Sequence, residues 1–184
     1  MPDSPAPAFS DVSVTDAGSI ALLTQYFSDR ESSFPSRQGR YRTTFPDPAQ
    51  FIPPRGVFLL VGEQAGTEQA GTKQDHAKQA QVEHVFVGCG GIRRIEDSAA
   101  GETRYEVKHL WLQPHVRGRG WGRSLLTELE RRARAFGAAE VVLDTNASLT
   151  AAGALYARSG YDSCEPYNDN PNATNWYRKR LAPS

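Results

Sequence analysis

Apolar positions along this chain alternate between a helical and a strand period. Ile20, Leu23 and Phe27, with Leu22 beside them, recur at helical spacing and predict an amphipathic helix over Gly18 to Arg30. Asp11 to Thr15 reads as a short first strand. Gly56 to Gly62 and Val82 to Cys89 are brief apolar runs rich in β-branched and aromatic residues, and predict neighbouring antiparallel strands. A fourth strand spans Arg104 to Leu112. Leu125, Leu126, Leu129, Ala133 and Phe136 then form the buried stripe of a helix over Arg119 to Phe136, with Gly137 as its terminator. Glu140 to Thr145 follows as a buried strand, parallel to the fourth because a helix joins them. A short helix carries Leu155 and Tyr156, with Asn146 and Ser148 as candidate caps and Gly160 at its end. Tyr161 to Glu165 and Trp176 to Leu181 suit a last antiparallel pair around a Pro/Asn loop. The pattern is that of an α/β domain with a mixed sheet.

Three segments lack either period. Residues 1 to 10 read as a disordered leader to a single domain over 11–184. Ser32 to Pro54, rich in Ser, Pro and Arg, reads as loop with room for a short helix. Between the second and third strands, the polar tract Gln64 to Gln81 contains a near-duplication, AGTEQ followed by AGTKQ. It is expected to be a flexible hairpin tip that costs little extra closure entropy.

Composition narrows the function. The 21 basic and 21 acidic side chains cancel, which argues against a nucleic-acid or membrane binder, and 39% hydrophobic residues suffice for an ordinary core. With no signal-like start and no spanning run, the expectation is a soluble, cytoplasmic protein with free thiols at Cys89 and Cys164. The histidines at 76, 84, 109 and 115 lack metal-ligand spacing, so no metal is expected.

The most specific feature is Arg117-Gly118-Arg119-Gly120-Trp121-Gly122, set between a strand and a helix. Alternate glycines let backbone approach a ligand, while the helix start supplies free N–H groups and a positive dipole end. Arg117, Arg119 and Arg123 add bidentate donors suited to phosphate. The spacing misses G-x-G-x-x-G, and the Gly-Lys-Ser/Thr ending of a nucleoside-triphosphate loop is absent.

Arg117, Gly120 and Gly122 fill the coenzyme A signature Q/R-x-x-G-x-G/A, and the chain resembles the GCN5-related N-acetyltransferase (GNAT) family. The resemblance runs from about Val82 to Leu181 and includes YEVKHLWLQPHVRGRGWGRSLL and ALYARSGY. It implies the acyl-CoA N-acyltransferase (GNAT) fold, α/β with a mixed central sheet and helices on both faces, and acetyl-CoA as co-substrate. It assigns coenzyme contacts to Trp111, Leu112, Arg117, Gly118, Arg119, Gly120, Trp121, Gly122, Arg123, Asn146 and Tyr156. In the family, strand four splays from strand five beside a bulge. That makes the Leu112 N–H the oxyanion donor, unless Leu112 is merely a strand residue.

Tyr156 is the implied general acid, since a phenol of pKa about 10 is protonated at neutral pH and can return a proton to a thiolate. A core-packing ring, or one that only anchors the sulfur, is the alternative. Glu106 is the candidate base for an ammonium acceptor, with a solvated surface charge as the alternative and His109 a weaker candidate on the other face of a regular strand. Many members carry asparagine where this chain has Leu149, so one coenzyme contact is missing or shifted to Asn146. With no histidine partner motif for either cysteine, direct attack in a ternary complex is favoured over a covalent acyl-enzyme. The acceptor, a small-molecule or peptide amine, lies over Phe34 to Phe45 and Tyr167 to Tyr177 by resemblance, which also extends the expectation of a homodimer. A non-catalytic acyl-CoA-binding regulatory module stays open as the other reading.

Overall fold

The protein was analysed as a computed structural model that describes residues 6–64 and 84–182. The tandem repeat expected at the hairpin tip lies outside these, as do residues 1–5 of the expected leader. The elements are β1 (Ala8–Asp11), α1 (Ala17–Ser33), β2 (Gly56–Gln64), β3 (His84–Arg94), β4 (Arg104–Leu112), α2 (Trp121–Ala135), β5 (Glu140–Thr145), α3 (Thr150–Arg158), β6 (Asp162–Ser163) and β7 (Asn175–Arg180). They build a seven-stranded sheet of order β1-β2-β3-β4-β5-β7-β6. β4 and β5 run parallel and every other neighbouring pair is antiparallel.

Strand alternation sends the two sheet faces to different helices. Val57, Leu59 and Val61 of β2 join Val107, Val141 and Leu143 under the α2 stripe of Leu125, Leu126, Leu129 and Ala133. On the other face Phe58 and Leu60 meet Leu22, Leu23 and Phe27 of α1. Each such side chain contributes about 1.5–3 kcal/mol on burial. The expected mixed sheet with helices on both faces is therefore present. Among the described residues no helix is long and apolar enough to cross a membrane.

Several boundaries differ from the sequence expectation for local reasons. The first strand is Ala8–Asp11, inside the expected leader, and pairs Ala8 with Gly62 and Asp11 with Leu59. Residues 13–16 are a turn instead, because Asp16 donates its N–H to the Ser13 carbonyl and caps α1 by accepting from the Gly18 N–H at 2.9 Å. α2 starts at Trp121 rather than Arg119, since Gly120 sits at φ +81° and cannot be helical. α3 takes neither expected cap. Asn146 Oδ1 accepts from the Ser148 N–H at 3.1 Å, and the helix begins only at Thr150.

The middle of β4 contains the main irregularity. Its pairing with β3 shifts between Cys89 and Gly91, so that His109 and Leu110 together oppose Gly90. His109 takes φ +56°, a left-handed conformation uncommon outside glycine. That bulge swings its ring onto the α1 face, edge-on to Tyr26 at 5.5 Å and Phe27 at 5.6 Å. This corrects the expected placement of His109 opposite Glu106. With β5, β4 pairs only from Arg104↔Glu140 to Glu106↔Val142, and the two strands then part.

Two predictions follow from this packing. A methyl group at Gly56 would meet the backbone carbonyls of Gln50 and Ile92, so Gly56→Ala should destabilise the fold by about 3 kcal/mol in urea unfolding. Burial, with Lys108 and Arg93 nearby, depresses the His109 pKa from 6.5 to about 3. The unfolded chain thus gains a proton below pH 6.5 that the folded chain refuses until about pH 3. The stability due to neutral His109 is complete above 6.5 and falls with pH through that window, by about 1.4 kcal/mol per unit. Between pH 6.5 and 5 the wild type should lose about 2 kcal/mol more than His109→Asn, a residue that tolerates positive φ.

Candidate active site

The end of β4 leads directly into the glycine-rich turn. Gln113 donates its N–H to the Val87 carbonyl of β3 at 2.8 Å, and buried Val116 anchors a short 3-10 turn over Pro114–Val116. Gly118 and Gly120 then take φ of +80° and +81°, with open space where a side chain would project. Beyond them the N–H groups of residues 118–122 meet no acceptor among the described residues, the first two turns of α2 beginning only with Arg123 and Ser124 bonded to the Gly120 carbonyl. Five successive free donors at a helix start are an arrangement suited to an anion.

Side chains around this cradle divide into two groups. Arg119 reaches Glu63 at 2.8 Å and stacks 5.8 Å from the Trp121 ring, while Arg123 is exposed. Arg123 is unpaired among the described residues, and Arg119 would have to exchange Glu63 for an anionic ligand. Arg117 is engaged elsewhere: its Nε donates to the Leu112 carbonyl at 2.8 Å and its NH2 meets Asp29 of α1 at 3.0 Å. Trp111 also points to α1, donating from its indole to Asp29 at 2.9 Å, and Trp121 is buried, leaving only its backbone to the cradle. Gly122 lies close to Leu155 and Leu112 without crowding them. Asn146 is away from the cradle, with its amide donating to Gln38 Oε1 and the Asn172 carbonyl.

A cavity of about 650 Å³ opens on the α1 side of the parted strands. Tyr26, Phe27 and Arg30 of α1, Phe34, Tyr41 and Phe45 of the following loop, and Phe51 make one wall. His109, Leu110 and Lys108 of β4, Asp144 of β5 and Tyr156 of α3 make the other. Tyr156 is buried between Tyr161 and Tyr177, and burial pushes its pKa up to about 12. It is thus a protonated donor through the neutral range. Leu112 and Trp111 are not among the lining residues, whereas Leu110 is. The loop is held over the cavity by Asn172, whose side-chain amide accepts from the Arg42 N–H at 2.9 Å and donates to the Arg42 carbonyl at 2.8 Å.

Beneath the cavity lies a buried ionic network. Glu106 has no solvent exposure and does not line the cavity. Its Oε2 accepts from Arg93, with both N···O distances at 2.7 Å. Oε1 accepts from Lys108 at 3.2 Å, Tyr167 at 3.0 Å and Asn168 at 3.1 Å. Lys108 also meets Asp144 at 3.2 Å, and Asp144 accepts from Asn168 at 2.7 Å and Asn170 at 3.1 Å. Burial works to raise the Asp144 pKa, but Lys108 and the two amides outweigh it and hold the carboxyl below its usual range. Burial and the facing Glu106 keep the Tyr167 hydroxyl protonated.

From the sequence the glycine-rich turn and Tyr156 are singled out by residue, and Asn168 and Asn170 fall within the Tyr167 to Tyr177 acceptor segment, whereas Arg30, Lys108, Leu110 and Asp144 carry no signal of their own. Among the described residues no cluster of three or more His, Cys, Asp or Glu side chains is arranged to hold a metal ion.

Comparison with known proteins agrees with this geometry. Residues 35–161 match the Acetyltransferase (GNAT) family. An IAA acetyltransferase of Azospirillum brasilense is 36% identical over 81 residues, which is 44% of this chain, and the match spans half the length of that relative. A solved structure from Klebsiella pneumoniae subsp. pneumoniae, assigned to the acyl-CoA N-acyltransferases, is 26% identical. It superposes with a TM-score of 0.66 over 96% of this chain and 98% of its own. A GNAT family acetyltransferase from Elizabethkingia anophelis, solved with acetyl-CoA bound, shares the fold at a TM-score of 0.57 and 12% identity, covering 95% and 98% of the two chains. With its match to the family over residues 35–161 and its mixed sheet with parted central strands, the chain belongs to the GNAT family of acetyltransferases.

Proposed function

We propose that this protein transfers the acetyl group of acetyl-CoA to a primary amine by direct attack in a ternary complex. The observation that carries the reading is the convergence of a five-donor anion cradle and a protonated, cavity-facing Tyr156 on the gap between β4 and β5. The residues present fit the coenzyme: the N–H groups of Gly118, Arg119, Gly120, Trp121 and Gly122, with Arg119 and Arg123, suit a pyrophosphate, and the exposed β4 edge suits an extended pantetheine. Bound there, acetyl-CoA supplies an acyl group activated as a thioester.

The chain's own groups account for the remaining chemistry. Because the Gln113 N–H points to β3, strand alternation turns the Leu112 N–H to the edge that β5 has left. There it is available to the negative charge that develops on the acyl oxygen. Tyr156 donates a proton to the departing thiolate. An ammonium acceptor must first lose a proton, and Asp144 is the carboxylate that faces the cavity beside the β4 edge. Glu106, buried and fully engaged, is assigned the positioning of Lys108 and Asn168 against Asp144 rather than direct contact with the amine.

Acetyl-CoA and CoA should each raise the unfolding midpoint, as ligands selective for the native state. Tyr156→Phe should lower kcat by about 10²–10⁴ while leaving acetyl-CoA affinity near the wild-type value. Full activity in this variant on an acceptor identified from an amine panel would overturn the assignment. Gly120→Ala strains a left-handed position and should weaken acetyl-CoA binding by roughly tenfold in calorimetry.

A further inference from the structure

The charge around the cavity does not balance. Four cationic side chains, Arg30, Arg42, Arg93 and Lys108, line it against two carboxylates, Asp47 and Asp144. Arg93 and Lys108 are engaged by buried Glu106 and by Asp144. Asp47 caps the short 3-10 turn at Pro48, accepting from the Ala49 N–H at 3.0 Å, and keeps its charge. With Glu106 counted, four cations against three carboxylates leave one positive charge, and the cations outside the buried network are Arg30 and Arg42.

Arg30 is the more informative of the two. It lies in the last turn of α1, its side chain is only 16% exposed, and its guanidinium stacks 5.5 Å from the Tyr26 ring centroid. Its nearest carboxylate, Asp29, stands 3.5 Å off and is already shared at shorter range by Trp111 and Arg117. Its Nε–H is buried with no acceptor. A charged group with so few partners in a low-dielectric wall gains most from an anionic ligand placed against the part of the guanidinium that stays exposed to the cavity. Around it the wall is aromatic: Phe27 and Phe45 stack at 4.9 Å, and Phe45 is 51% exposed although it lines the cavity.

Resting on the acetyltransferase reading above, we infer that the acceptor is a primary amine that also carries a carboxylate and a flat apolar body, the aromatic α-amino acids being the simplest such compounds. Arg30 receives the carboxylate, the Phe27–Phe45 wall receives the apolar body, and the ammonium end lies toward Asp144 and Tyr156. A cavity with this charge disfavours polyamines, whose second cation would face Arg30 or Arg42.

The test compares phenylalanine, tyrosine and tryptophan with their decarboxylated counterparts, phenethylamine, tyramine and tryptamine, by following release of the CoA thiol. The wild type should favour the amino acids by at least about tenfold in kcat/KM, mainly through KM. 3-Phenylpropanoate, which has the carboxylate without the amine, should inhibit competitively against the amino acid. Arg30→Leu should reduce the preference to near unity, and Arg30→Lys should retain part of it. Equal or better turnover of the decarboxylated amines by the wild type overturns the inference, and so does a preference that persists in Arg30→Leu. If those amines release CoA and the amino acids do not, acetyl transfer stands and the carboxylate requirement falls. If neither series is turned over while another amine of the panel is, the inference alone falls; if no amine of the panel is turned over although acetyl-CoA raises the unfolding midpoint, both readings fall.

Discussion

Glu106 is a carboxylate without access to water, and such a group is tolerated only where opposite charge and hydrogen-bond donors surround it. Those partners come from three separate parts of the chain. Arg93 belongs to β3, Lys108 to β4, and Tyr167 and Asn168 to the loop before β7. Lys108 and Asn168 extend the network to Asp144 on β5. The network therefore spans the place where β4 and β5 cease to share backbone hydrogen bonds. Side chains bridge the sheet where the backbone no longer does, and the gap stays open without leaving the strands independent of one another.

A second linkage joins the cradle to the opposite wall. Asp29 of α1 accepts from the Trp111 indole and from Arg117, and burial works to raise the pKa of its carboxyl. The hydrogen bonds from Trp111 and Arg117, with the charges of Arg117 and Arg30, prevail and lower it. Arg117 thus fastens the helix bearing Tyr26, Phe27 and Arg30 to the strand end that starts the cradle. The glycine-rich turn and the aromatic wall share one carboxylate.

How far the sequence revealed this arrangement depends on the range over which each feature is determined. The cradle was legible because glycine spacing and the strand-to-helix switch are local, and β5 was legible at its full Glu140–Thr145 extent because a short apolar run between a helix stop and a polar residue has few alternatives. Tyr156 was legible from its segment. Glu106 was visible as a residue, but its burial depends on Arg93, Tyr167 and Asn168, which meet it only after the sheet assembles. His109 was placed on the wrong face because one left-handed residue adds a step to the strand alternation, and no residue type marks it. Arg117 fits the phosphate signature, yet its partner, Asp29, is 88 positions away.

The clasp between Asn172 and Arg42 has a further implication for how the protein ages. A side-chain amide there imitates a neighbouring strand, offering one acceptor and one donor to the two backbone groups of Arg42. Spontaneous deamidation to aspartate would keep the acceptor but replace the donor with a second charged oxygen, set against the Arg42 carbonyl. The loop carrying Tyr41 and Phe45 would then lose half of its attachment and gain a repulsion. A slow chemical change at one residue would loosen the loop wall of the cavity while leaving the glycine-rich turn intact.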